Sequence, residues 1–299
     1  SFTGYYSGLI EASTAYEDAT KIFRESTEST LSPISSLPKE PLEAFSLKRL
    51  EFRYVAREGQ GGIKAEDLSI SPGDKIALVG PSGGGKSTLL KILGGMILPD
   101  SCEITNANGD HLPLSRVTDQ CLILPQEPEI FSETVRYNLT MGERFKPEEL
   151  HFYLSLCRAD EVVQKLPNGW DANLSEKGLN LSVGEKQRIA MARGLLRTGD
   201  RKILLLDEPT SSLDPMTEKQ IFYGILHHFA DRTIITACHR LALVPLFDKI
   251  VYIRRGKIEE VGSFSQLLEK RGAFFQAWDD YEKKVVEVEK EATPSTPAQ

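Results

Sequence analysis

The sequence predicts an α/β fold: a buried, largely parallel sheet flanked by helices, with an antiparallel hairpin ahead of it and a helical insertion. Three observations carry that expectation. The short apolar runs at 75–79, 203–206, 233–237 and 250–253 read as strands covered on both faces. They alternate with stretches of helical periodicity. A glycine-rich segment, GPSGGGKST at 80–88, follows the first of these strands and opens a helix expected at 89–93.

In chain order, residues 1–25 read as a short helix, with Ala12, Ala15, Tyr16, Ala19, Ile22 and Phe23 at helical spacing. The Ser-, Thr- and Pro-rich stretch at 26–41 reads as a linker, extending to about 44. Residues 47–54 look like a strand with Phe52 and Tyr54 on one face by period two. A turn containing Gly59, Gly61 and Gly62 separates it from a second strand at 63–70, which gives the hairpin. Pro72, Gly73 and Asp74 end that strand before the buried run at 75–79. Residues 147–198 are mostly helical in pattern. The body is expected to span 45–270, with its helical part at about 130–198, followed by a C-terminal helix and an acidic tail disordered from about 289. Each motif occurs once, so there is no internal repeat.

Composition narrows the function classes. With 40% apolar and 26% charged residues over 299 positions, the chain can bury a substantial core, and wholesale disorder is excluded. No uninterrupted apolar run reaches the ~18 residues of a spanning helix. The net charge of −7, from 36 basic and 43 acidic residues, is concentrated in the two termini, so the body is close to neutral. That distribution does not suit a nucleic-acid binder. Cys102, Cys121, Cys157 and Cys238 show no C-x-x-C spacing, which argues against a zinc or disulfide framework and suits a reducing compartment. The sequence has no initiator Met or signal peptide, so Ser1 is expected to begin an excised piece of a longer protein.

Gly80, Gly85, Lys86 and Ser87 satisfy G-x-x-x-x-G-K-[ST] in the expected strand–loop–helix setting. Glycines there let the backbone N–H groups of Ser82, Gly83, Gly84, Gly85 and Thr88 turn toward phosphate oxygens, and the helix N-terminus adds positive potential. Lys86 would reach the β- and γ-phosphates, and Ser87 would bind Mg²⁺. The run ILLLDE at 203–208 delivers two carboxylates at the C-terminal end of a buried strand, where ligands sit in open α/β sheets. Asp207 suits the Mg²⁺ and Glu208 the general base that polarises an attacking water.

With LSVGEKQRIAMAR at 181–193 and DEPTSSLD at 207–214, the sequence resembles the ATP-binding cassette (ABC) ATPase family over roughly residues 45–270. The resemblance implies a P-loop NTPase (RecA-like) core with an antiparallel β subdomain and an inserted α-helical subdomain. It also implies ATP and Mg²⁺ as ligands. The family's L-S-G-G-Q signature binds the γ-phosphate held by an opposite subunit, a role that falls to Ser182 and the Gly184 backbone. Two positions depart from it: Val183 replaces the first Gly, and its Cβ restricts approach to a phosphate, while Glu185 replaces Gln, a common variant.

Further roles come from the same resemblance. Tyr54 resembles the aromatic that stacks on adenine, although the family's following Pro is Val55 here. Gln126 resembles the Gln that touches Mg²⁺ and the attacking water and links the site to a transmembrane partner. Asp214 closes a loop that crosses the dimer interface, and His239 resembles the switch His at the γ-phosphate. SEKG at 175–178, with Glu176, resembles a loop typical of exporters.

The resemblance thus implies the motor domain of an exporter at the cytoplasmic face of a membrane. Its partners would be a second ABC ATPase domain and a transmembrane domain fused upstream of residue 1, with no nucleic acid. Residues 1–25 would then be the end of the last transmembrane helix. The alternatives are an importer ATPase on its own chain and a soluble ABC ATPase. A GTPase is disfavoured because no N-K-x-D motif occurs.

Overall fold

The computed structural model describes residues 43–54, 61–127, 129–174 and 181–292. The helix expected at 1–25, most of the linker and the SEKG loop with Glu176 lie outside the described residues.

Among the described residues, nine strands form one sheet in the order β4-β1-β2-β9-β8-β3-β7-β6-β5. The antiparallel hairpin is β1 (Phe45–Arg53) against β2 (Gly62–Ile70), with β4 (Ser101–Asn106) antiparallel on the far side of β1. The parallel part comprises β3 (Lys75–Val79), β5 (Cys121–Leu124), β6 (Ile203–Asp207), β7 (Thr233–Ala237) and β8 (Lys249–Arg254). β9 (Lys257–Gly262) pairs antiparallel with β8 and touches β2 in parallel, so the two parts are one continuous sheet.

The apolar strands are buried on both faces, and their period of two sorts the core. Ala77 and Val79 of β3, with Leu204 and Leu206 of β6, face one apolar cluster. Ile76 and Leu78, with Ile203 and Leu205, face the other. The second cluster is capped by α1 (Lys86–Leu93), through Leu89, Leu90, Ile92 and Leu93. α2 (Leu114–Thr118) adds Val117 to the same cluster.

The first cluster takes in α3 (Val135–Thr140), α4 (Pro147–Leu156), α5 (Asp160–Lys165) and α6 (Val183–Leu196). It also includes α7 (Pro215–His228), through Ile221, Phe222 and Ile225. α8 (Phe264–Lys270) and α9 (Ala273–Ala292) follow β9, and Phe264 and Trp278 meet edge-to-face at 4.7 Å between ring centroids.

Three details differ from expectation. α1 begins at Lys86 rather than at 89, because Gly85 takes the cap position with φ +110° and the following residue already turns helically. The strands β4 and β9 were not singled out in the sequence: SCEITN and KIEEVG are short, polar edge-like runs without clean alternation. The tail expected to be disordered from 289 is helical as far as Ala292, in keeping with its Glu, Lys and Ala content.

Candidate functional site

The C-terminal ends of β3, β5, β6 and β7 lie at one end of the parallel part of the sheet, and the loops leaving them carry most of the residues singled out above. The 80–88 loop folds back over the β8–β9 turn, with Gly256 N–H donating to the Gly84 carbonyl at 2.9 Å. Gly80 sits at φ +144°, and a Cβ there would stand 1.9 Å from the Ile253 carbonyl oxygen, so no other residue fits. Gly83 also has positive φ, +73°, and nothing lies within 4 Å of where its Cβ would stand.

Lys86 is 4% exposed, and its Nζ donates to the carbonyls of Gly80 at 2.9 Å and Pro81 at 3.1 Å. Burial pulls its pKa below the ordinary lysine value, while the carboxylates of Glu208 and Asp207 oppose that shift. A buried cation satisfied only by carbonyls is a ready partner for an anion. Beside it, Ser87 Oγ donates to Asp207 Oδ1 at 2.7 Å. A hydroxyl and a carboxylate at that separation form a hard-oxygen donor set of the kind Mg²⁺ takes when phosphate oxygens and water complete its shell.

Glu208 follows β6 with φ +50°, an uncommon conformation for a residue with a Cβ, and is nearly buried. Gln126 Nε2, from the loop after β5, donates to Glu208 Oε2 at 3.1 Å. His239 Nε2, from the loop after β7, touches Glu208 Oε1. Three loops thus bring Gln126, Glu208 and His239 together next to the Lys86, Ser87 and Asp207 group. Tyr54, just past β1 and 42% exposed, reaches the same loop, with its hydroxyl 3.4 Å from Thr88 Oγ1 and its ring edge-to-face with Phe52.

Ser182, Gly184 and Asp214 make their contacts elsewhere. Ser182 is the N-cap of α6 in a full capping box: its N–H and its Oγ both donate to Glu185 Oε2, at 2.9 and 3.0 Å, and its Oγ accepts from the Glu185 N–H. The Ser182 N–H is also what holds the Glu185 carboxyl below its ordinary pKa. Val183, the first residue of α6, is 61% exposed and its backbone is helical, so it is unstrained.

Gly184 has a packing reason besides any approach to a ligand, since a Cβ there would meet Leu213 Cδ2 at 2.8 Å. Gln187 reinforces that junction, donating to Ser211 Oγ at 3.1 Å and accepting from the Ser212 N–H at 3.2 Å. Asp214 spends its carboxylate on capping α7, accepting from Met216 and Thr217 N–H, and the Thr217 bond lowers its pKa.

Two residues near the site were not singled out beforehand. Glu218 and Arg240 form an ion pair at 2.8 Å behind Glu208. The only hint was their place: Arg240 adjoins His239, and Glu218 lies one turn into α7. A groove of about 550 Å³ also opens beside the Gln126 loop, between β5 and α6, lined mainly by apolar side chains such as Leu122, Leu124, Phe131 and Met191.

Comparison with known proteins gives a consistent picture. The family model described as "ABC transporter" matches residues 63–211. P-glycoprotein 14 of Caenorhabditis elegans is 38% identical over 237 residues, 77% of this chain and 17% of that protein. The mitochondrial iron-sulfur clusters transporter ABCB7 of Rattus norvegicus is 32% identical over 270 residues, 89% of this chain and 35% of that protein. The chain therefore spans between about a sixth and about a third of the length of these relatives. A solved structure of a bacterial Atm1-family ABC exporter with ATP bound is similar with a TM-score of 0.70 and 28% identity, over 95% of this chain and 48% of that one.

Proposed function

The chain belongs to the ABC transporter family, and we propose that it is the ATP-hydrolysing motor domain of an exporter, working at the cytoplasmic face of a membrane. The observation that carries this reading is the convergence of Lys86, Ser87 and Asp207 with the cluster of Gln126, Glu208 and His239 at the C-terminal ends of the parallel strands.

In this reading the backbone N–H groups of residues 82–88 and the Lys86 ammonium bind the ATP phosphates, and Tyr54 stacks on the adenine. Ser87, Asp207 and Gln126 hold Mg²⁺, which supplies charge neutralisation at the phosphate oxygens. Glu208 orients a water and accepts its proton, and His239 steadies Glu208 and contacts the γ-phosphate. Ser182, the Gly184 backbone and the Asp214 loop serve the nucleotide on a second ABC domain, facing it across a head-to-tail pair.

The similarity to a solved structure described as an Atm1-family ABC exporter supports an exporter over the alternatives. The apolar groove beside Gln126 suits docking of a transmembrane domain, with Gln126 relaying its movement to the site. Among the described residues no helix is long and apolar enough to cross a membrane.

The test is ATP turnover by the purified 299-residue chain. The expected result is Mg²⁺-dependent hydrolysis that rises more steeply than linearly with protein concentration and stops with EDTA. Turnover strictly proportional to concentration would reject the paired arrangement, and no turnover would reject the ATPase reading.

A further inference from the structure

A circuit of side chains closes behind Glu208. Thr210 Oγ1 donates to Glu218 Oε1 at 2.7 Å, and Arg240 Nη1 donates to Glu218 Oε2 at 2.8 Å. Arg240 Nη2 donates to the Leu213 carbonyl at 2.7 Å. Arg240 directly follows His239, which touches Glu208, and Glu208 stands two residues before Thr210. The circuit therefore runs from Glu208 through Thr210, Glu218 and Arg240 to His239 and back, around a cavity of about 240 Å³.

Stability alone gives this pair little reason to exist. The Glu218 side chain is 7% exposed, and burying a carboxylate costs enough that an apolar pair of similar volume is often at least as stable. What the pair supplies is geometry. A guanidinium is a planar fork that can hold two acceptors at fixed angles, and here it holds one on α7 and one on the loop at 211–214. That loop is the one packed on the first turn of α6, through Leu213 against Gly184 and through the two hydrogen bonds of Gln187.

We propose that Arg240, locked by Glu218, is a positioning residue that fixes His239 against Glu208 and at the same time fixes the 211–214 loop against α6. The hydrolytic cluster and the Ser182 segment are then set by one side chain, so displacement of either is felt by the other. This inference rests on the ATPase reading above.

The test compares steady-state ATP hydrolysis by the full 299-residue chain in four forms: wild type, Arg240→Lys, Arg240→Gln, and Arg240→Gln combined with Glu218→Gln. Arg240→Gln alone leaves a buried carboxylate unpaired and is expected to melt early. The double substitution leaves no unpaired charge, and the shorter amide at position 240 cannot span both the side chain at position 218 and the Leu213 carbonyl. It is expected to melt close to wild type, with kcat down on the order of 10- to 100-fold and KM for ATP unchanged, the scale of a small misplacement of reacting groups. Arg240→Lys, which keeps the charge without the fork, is expected to retain the melting temperature and recover part of kcat.

A double variant with wild-type kcat overturns the proposal, as does a loss confined to KM or to thermal stability. Should the double variant not fold, Arg240→Lys decides by the same division between kcat and KM. A wild-type chain without turnover overturns the ATPase reading instead, and the positioning role falls with it.

Discussion

Replacing Glu208 with Gln separates nucleotide binding from hydrolysis in the proposed mechanism. The side chain keeps its shape and its unusual φ of +50°, but loses the charge and the proton-accepting oxygen. Its two contacts can both survive. The new amide oxygen accepts from His239 Nε2, and Gln126 turns its own amide so that its oxygen faces the new NH₂ group. The folding cost is then within about 1 kcal/mol, which shifts the melting temperature by only about 2–4 °C for a domain of this size. Removal of a general base lowers kcat by about 10²- to 10⁴-fold.

In the proposed arrangement hydrolysis is the step that releases two chains joined by ATP, so the mutant should accumulate as the joined form. Saturating ATP at a thousand times its dissociation constant contributes about 4 kcal/mol to whichever state binds it. Removing a carboxylate beside the γ-phosphate favours that state further. Size-exclusion chromatography with light scattering is expected to show wild type mostly monomeric, and Glu208→Gln dimeric with ATP and monomeric with ADP. A mutant that stays monomeric at saturating ATP would refute the sandwich. One that hydrolyses at the wild-type rate would refute Glu208 as the base, and one that melts far below wild type would show that geometry rather than chemistry was lost.

The remaining expectations concern the nucleotide grip. Lys86→Ala removes a buried charge-assisted contact of about 1.5–3 kcal/mol, so the ATP dissociation constant measured by calorimetry should rise roughly ten- to hundred-fold; an unchanged constant would mean that this loop is not the phosphate site. Tyr54→Ala should weaken ATP and ADP alike by about 1–3 kcal/mol, the scale of a lost stacking contact, whereas an effect confined to Phe52→Ala would identify the other ring of the edge-to-face pair as the stacking one. Val183→Gly should raise turnover if two copies of this chain pair, because an exposed side chain at the start of α6 is removed from the approach to the partner's nucleotide; unaltered turnover of a purified homodimer would show that Val183 is no handicap.

Much of the fold and of the site was legible in the sequence because it rests on local rules. Buried parallel strands must be apolar throughout, so β3, β6, β7 and β8 announced themselves. The loop at 80–88 needs glycine where φ is positive, and it has glycine there. What stayed hidden depends on contacts between distant segments. β4 and β9 are polar strands that pairing, not propensity, holds in the sheet. The Glu218–Arg240 pair joins residues 22 apart, and beyond the place of Arg240 next to His239 nothing in the sequence marks it. Glu208 was marked by its place after an apolar run. Its left-handed backbone, which costs about 1–3 kcal/mol in a residue with a Cβ, became visible only with the contacts of Gln126 and His239 that surround it.

The two halves of the proposed site are built to different ends. On the hydrolytic side every side chain has its partners in place within one chain: Lys86 with the loop carbonyls, Ser87 with Asp207, and Glu208 between Gln126 and His239. On the side that would serve a partner's nucleotide, the donors of Ser182 are already engaged within the chain. The N–H and the hydroxyl of Ser182 both point to Glu185, and a capping box of this kind is worth about 1 kcal/mol to α6. An incoming phosphate must displace that carboxylate while approaching its negative charge and passing the exposed Val183. In a head-to-tail pair of unlike chains, the proposed reading therefore expects an imbalance. ATP bound to this chain meets a complete hydrolytic cluster, while ATP bound to the partner is gripped by the weaker Ser182 side. Glu185→Gln keeps the cap's shape without its charge, so restoration of the partner site by that change would trace the imbalance to electrostatics rather than to the bulk of Val183.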